Sequence, residues 1–260
     1  MKSQEFEEKN ISVGGLNINY KVAGEGPVVL ILHGWGSSSG AWRKIQESLS
    51  ASGFQVIIPD LPGFGKTPPP NSVWGVHEYA DFVFRFMDNL NIQRVILAGH
   101  SFGGQVAVQC SLLHPEKIER LVLIAPAAVR HKPTLQNYIL KYVAKTVGMI
   151  LYVVPHNIRE NIKHAAYALL RRRDYVMAYG IMRDIFKKLT QEDFSPVLKG
   201  IKTPTLLIWG KKDIMTPIED GEFMASQIPG ATFKVFSENG HNFHTEDPET
   251  LVEKIKEFIQ

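Results

Sequence analysis

The sequence predicts an α/β fold with a mostly parallel sheet and helices on both faces, and three observations carry that prediction. Short, continuous apolar runs alternate with amphipathic segments over residues 1–128 and again over 196–260. Such runs suit strands buried on both faces. One run, Arg94-Val95-Ile96-Leu97-Ala98, leads directly into Gly99-His100-Ser101-Phe102-Gly103 and then into a helical stretch over 105–114. A length of 260 residues is enough for one sizeable core.

Taken in order, residues 11–13 and 16–22 read as a hairpin closed by Gly14-Gly15. Val28-Val29-Leu30-Ile31-Leu32 is a buried strand, followed by a helix over 41–51 and a second buried strand over 54–58. Pro59 and Pro62 close that strand, and Pro68-Pro69-Pro70 stiffens the next loop. A helix over 76–90 shows its apolar face as Tyr79, Phe82, Val83, Phe86, Met87 and Leu90. The Ser101 turn, its helix and a strand over 121–124 come next. Strands over 205–209 and 232–236 and a helix over 248–259 complete the pattern.

Between the two halves of this pattern the rhythm changes. Residues 129–195 show no strand pattern, whereas Leu135, Tyr138, Ile139, Tyr142, Val143, Val147, Ile150 and Leu151 recur at helical spacing. This stretch carries 12 Lys/Arg against 5 Asp/Glu, a net of +7, in a chain whose total is +3. It is expected to be a helical module inserted into a core domain formed by 1–128 and 196–260.

Composition excludes several classes. A chain 44% hydrophobic and 21% charged is globular, not disordered. A net charge of +3 is too small to indicate nucleic acid. The single cysteine, Cys110, permits no internal disulfide and reads as an inert buried thiol. The polar, acidic start predicts no secretory leader, and no apolar run approaches the ~20 residues that span a bilayer. Cytoplasm is the expected location. No Cys/His spacing indicates zinc, and no metal or organic cofactor is expected. Arg171-Arg172-Arg173 in the basic module could meet anionic lipid, but charges solvated above an apolar packing face are the simpler expectation.

The chemistry centres on Ser101. Glycine two places to either side removes the Cβ atoms that would collide in so tight a strand-to-helix turn, so the serine projects from the sheet edge. A serine hydroxyl needs a base within reach and a third group to fix that base's tautomer. Of nine histidines, His241 in Asn239-Gly240-His241-Asn242-Phe243 lies in a loop just past a strand and before the final helix. His33 and His100 adjoin glycines at strand ends and read as residues of loop packing and hydrogen bonding. Asp213, in Gly210-Lys211-Lys212-Asp213, occupies a comparable loop, and the order serine, acid, histidine suits a turn of this kind. Asp60 is stiffened by Pro59 and Pro62 and is expected to brace the Gly63-Phe64-Gly65 turn. Donors for an oxyanion, each worth ~3–4 kcal/mol, would be the backbone N–H groups of Phe102 and Trp35.

With these residues assembled, the chain resembles the α/β-hydrolase family over nearly its whole length. The resemblance rests on His33-Gly34-Trp35-Gly36, Asp60-Leu61-Pro62-Gly63-Phe64-Gly65, Gly99-His100-Ser101-Phe102-Gly103-Gly104, Trp209-Gly210-Lys211-Lys212-Asp213 and Gly240-His241 before Glu246-Asp247-Pro248-Glu249. It implies an eight-stranded sheet, a helical cap after the sixth strand, and Ser101, Asp213 and His241 as nucleophile, acid and base. Relatives that open epoxides or remove halide carry aspartate where Ser101 stands. The expectation is a serine carboxylesterase acting on a small, hydrophobic ester or related acyl compound. Alternatives are a carbon–carbon hydrolase of ring-cleavage products, a hydroxynitrile-lyase-like enzyme, and a ligand-binding receptor with a slow or silent triad.

Overall fold

A computed structural model describes residues 7–130 and 180–260. Most of the expected inserted module, including Leu135 to Leu151 and Arg171–Arg173, lies outside the described residues. Eight strands form one sheet: β1 (Glu7–Val13), β2 (Leu16–Ala23), β3 (Val28–Leu32), β4 (Gln55–Pro59), β5 (Val95–His100), β6 (Ile118–Ile124), β7 (Thr205–Gly210) and β8 (Thr232–Phe236). Their order is β1-β2-β4-β3-β5-β6-β7-β8. Only the β1–β2 and β2–β4 pairs are antiparallel; the rest are parallel. The Gly14-Gly15 turn has positive φ at both residues (57° and 84°), the backbone that a two-residue hairpin with native twist requires.

Adjacent residues of each buried strand point to opposite faces, so one apolar run supplies two cores. Leu30, Leu32, Leu97, Leu121, Leu123, Leu207 and Trp209 join one cluster with α2 (Val76–Asn89) and α3 (Phe102–Leu113). Val29, Ile31, Ile96, Ala98, Val122, Ile124, Leu206 and Ile208 join the other with α1 (Arg43–Ala51) and a C-terminal helix, Pro248–Ile259. Further helices are α4 (Ile181–Leu189), α5 (Ile218–Gln227) and α6 (Phe243–Glu246), which makes the C-terminal helix α7.

Two of the boundaries that differ from the sequence pattern bear on the sheet edge and the serine turn. β1 begins at Glu7 because backbone pairing to β2 runs from Glu7↔Val22 to Val13↔Leu16, although Glu7 to Asn10 are exposed and carry no apolar signal. α3 begins at Phe102, so Gly103 and Gly104 are helical. Their glycines serve packing: a Cβ on Gly103 would overlap the Leu32 carbonyl oxygen, and one on Gly104 would meet Pro126 at 2.7 Å. Helix α3 therefore lies directly on β3 and on the segment after β6. Gly103→Ala is expected to cost about 2 kcal/mol or more, since backbone has to move, and to lower the melting temperature measurably. An unchanged melting temperature would show that this close contact is not needed.

Candidate active site

The candidate residues gather where the parallel strands β3, β5, β7 and β8 end, the edge at which ligands bind in such sheets. Ser101 follows β5 and caps α3 with φ 51° and ψ −114°. A non-glycine residue held at positive φ costs on the order of 1–3 kcal/mol and persists only where its surroundings over-determine it. Here they do. The Ser101 N–H donates to the Ile124 carbonyl, and its own carbonyl accepts from the Gln105 and Ala127 N–H groups, each at 3.0 Å. A Cβ on Gly99 would overlap Gly103, so glycine is required on both sides of the serine.

Asp213 follows β7 and is buried. One carboxylate oxygen, Oδ1, accepts the N–H groups of Met215 (2.8 Å) and Thr216 (2.9 Å). The other, Oδ2, accepts the Thr216 hydroxyl at 2.8 Å and the Nδ1–H of His241 at 2.7 Å. Burial alone would raise the Asp213 pKa. The bond and charge of His241, with the donors of Thr216, outweigh it and hold the carboxyl below its ordinary value. Asp213 is thus ionised at neutral pH and fixes the proton of His241 on Nδ1, which leaves Nε2 free to accept one.

The loop carrying His241 is held from several directions. Lys211 N–H donates to Phe236 and Lys212 N–H to the Asn239 carbonyl, at 2.8 and 2.9 Å. Glu246 accepts the Gly240 N–H at 2.6 Å. A Cβ on Gly210 would overlap the carbonyls of Asn239 and Gly240, so only glycine lets β7 approach this loop.

Sequence reasoning missed three contributors. Thr216 touches both Asp213 and, at 3.2 Å, the Nδ1 of His241. His100, read as a residue of loop packing and hydrogen bonding, donates its Nε2–H to the His241 carbonyl at 2.9 Å. His244 packs its ring 4.5 Å from His100 and stacks on Trp42 at 4.5 Å and 12°. The only early signal was the strand-end placement of His100. A bond across 141 residues leaves no local trace.

His33 and Asp60 shape the neighbouring loops. The Leu61 N–H donates to His33 Nε2 at 3.0 Å, so Nδ1 carries the proton and donates to the Gly34 carbonyl at 2.8 Å. Asp60 accepts the N–H groups of Ser39 (2.7 Å) and Lys66 (2.9 Å) and fills the space beside Gly65. These contacts hold the 33–36 loop against the elbow. A Cβ on Gly34 would sit 3.4 Å from that of Ser101. The Trp35 ring packs on Phe64, Phe102 and Phe186 at 4.8, 5.8 and 5.0 Å. The Phe102 N–H opens α3 and has no helical carbonyl to meet.

Burial lowers the pKa values of His33 and His244 to about 4 and that of His100 well below its usual value. The unfolded chain protonates these rings near 6.5. Between pH 6.5 and 4 it therefore binds more protons than the folded protein, and stability falls as pH falls. Melting temperature is expected to drop across that window, with His33 and His244 each contributing about 3 kcal/mol of lost stability and His100 acting in the same direction. A flat profile from pH 7 to 4.5 would contradict burial of neutral rings.

Ser101 and His241 open onto one cavity of about 310 Å³. Trp35, Phe102, Phe186, Leu189 and Met215 make its walls largely apolar, with Gln105, Arg130, Thr190 and Thr216 as polar members. That volume lies at the small end of the range for small-molecule sites.

A mostly parallel sheet with a serine on a strained strand-to-helix turn, sharing one cavity with a histidine bonded to an aspartate, is the arrangement of a hydrolase of the α/β fold. A family model described as alpha/beta hydrolase fold matches residues 27–158 and 163–248, and the chain belongs to that family. Among its relatives, a 2-hydroxy-6-oxononadienedioate/2-hydroxy-6-oxononatrienedioate hydrolase of Paraburkholderia phymatum is 28% identical, over 96% of this chain and 94% of that protein. A 2-hydroxy-6-oxo-6-phenylhexa-2,4-dienoate hydrolase of Comamonas testosteroni is also 28% identical, over 92% and 89%. Among solved structures, a bacterial membrane phospholipase A superimposes with a TM-score of 0.76 at 25% identity, covering 98% of this chain and 86% of that one. No helix among the described residues is long and apolar enough to cross a membrane.

Proposed function

We propose that this chain is a serine hydrolase that cleaves carboxylic esters or related acyl compounds through an acyl-enzyme. The observation that carries this reading is the 2.7 Å Asp213–His241 bond beside a cavity that Ser101 also lines. Ser101 Oγ attacks the carbonyl carbon while His241 Nε2 takes its proton. The N–H groups of Phe102 and Trp35 receive the oxyanion, and Asp213 stabilises the imidazolium. His241 then protonates the departing alcohol. Water, deprotonated by His241, attacks the acyl-enzyme and releases the acid. Residues 129–195 act as a lid in this reading, supported by Arg130, Phe186, Leu189 and Thr190 on the cavity wall. The apolar wall favours a hydrophobic acyl or aryl group.

A second reading, carbon–carbon bond hydrolysis next to a ketone, is favoured by the two relatives at 28% identity, whose names state such substrates. It uses the same serine, histidine and acid but needs a leaving carbanion delocalised by the substrate. A chain-length series of 4-nitrophenyl esters, run beside 2-hydroxy-6-oxo-6-phenylhexa-2,4-dienoate, separates the two. Ester turnover with a clear chain-length optimum supports the esterase. Dienoate cleavage without ester turnover supports the second reading. Turnover of neither, with no labelling of Ser101 by a fluorophosphonate, overturns both.

A further inference from the structure

Arg130 is the one permanently charged side chain among the described residues that line the cavity. Its guanidinium has five N–H donors. Three go to backbone carbonyls: Nε to Thr190 (3.0 Å), Nη1 to Val129 (3.2 Å) and Nη2 to Leu189 (3.1 Å). One N–H on each terminal nitrogen has no acceptor among the described residues, and a carboxylate offers two oxygens to such donors.

Two of the carboxylates near this guanidinium are engaged elsewhere. Asp193 Oδ1 is engaged by the backbone N–H of Arg130 and by Ser195, and the Glu192 carboxylate holds the Val76 N–H. Burial opposes the Arg130 charge, and the charges of Asp193, Asp220 and Glu192 offset part of this. A cation held on an apolar wall is costly unless its charge is balanced, and an anionic ligand adds to that balance.

We infer that Arg130 receives an anionic group of the substrate, so that the cavity selects acyl compounds bearing a carboxylate. This deepens the esterase reading and rests on it for the reaction, though not for the binding. The modest cavity favours a compact carboxylate over a phospholipid headgroup. The competing role is structural, because the same guanidinium caps the C-terminal end of α4.

The test compares the mono-4-nitrophenyl ester of adipic acid with its methyl-capped, uncharged counterpart. The wild-type protein is expected to favour the anionic ester in kcat/KM by about tenfold or more, the worth of one charge-assisted pair. Arg130→Gln should lower that ratio about tenfold, whereas Arg130→Lys, which loses the cap geometry but keeps the charge, should retain a ratio above one. A wild-type ratio at or below one, or an equal ratio in Arg130→Gln, overturns the inference while leaving the esterase reading intact. If neither ester is turned over, the chain-length series decides the esterase reading, and binding decides the inference. Monomethyl adipate should then raise the melting temperature of Ser101→Ala more than dimethyl adipate does, and Arg130→Gln should abolish the difference. Equal shifts from the two compounds would overturn it.

Discussion

Ser101→Ala is expected to reduce kcat on every ester that the protein turns over by about 10⁴-fold or more, and to abolish fluorophosphonate labelling. The reason is local and complete. In the proposed mechanism, removing Oγ leaves His241 without a proton to take and the carbonyl carbon without a nucleophile, while the proposed oxyanion donors and the cavity remain. The substitution is structurally mild, because the backbone at Ser101 is held by bonds from its N–H and carbonyl and not from its side chain. Alanine at φ 51° is strained much as serine is. Melting temperature should therefore stay close to that of the wild type, which distinguishes lost chemistry from lost fold. Retention of more than a few per cent of the ester turnover would remove Ser101 from the nucleophile role.

Asp213→Asn is expected to lower kcat by about 10³- to 10⁴-fold with little change in KM. The surrounding donors dictate how the amide must sit. Met215 and Thr216 N–H groups point at the Oδ1 position, so the carbonyl of the asparagine has to occupy it. The NH₂ group then takes the Oδ2 position, 2.7 Å from His241 Nδ1. Two donors cannot share that contact, so the ring proton moves to Nε2, where it blocks proton acceptance from Ser101. Thr216 aggravates the conflict, since its hydroxyl donates to the same Oδ2. Activity within tenfold of the wild type would show that another acid orients the base.

Much of the sheet was legible because each buried strand is apolar on both faces and each turn has its own steric signature. Gly14-Gly15, the proline-closed β4 and the Ser101 elbow are all readable within a few residues. The exposed half of β1 was not, because its pairing to β2 depends on backbone bonds and not on side-chain hydrophobicity. Helix α5 was not read either. It carries Glu219, Asp220 and Gly221 and buries little apolar surface, so it lacks a clear helical stripe. In the candidate site, strand-end placement singled out Ser101, Asp213 and His241. It could not single out Thr216, an unremarked residue three positions past Asp213, nor the use His100 makes of the His241 carbonyl.

By itself the sequence determined the α/β architecture, the strained serine turn and the glycines that make it possible. These follow from sterics and burial acting over a few neighbouring positions. Only the tertiary structure decided the rest: the tautomer of His241, the pairing of β7 with the base loop through Gly210, the buried neutral histidines, and the guanidinium of Arg130 on the cavity wall. Each depends on atoms that are distant in the chain and close in space. Hydrogen-bond direction, desolvation and charge balance are properties of that proximity, and a linear pattern does not encode them locally.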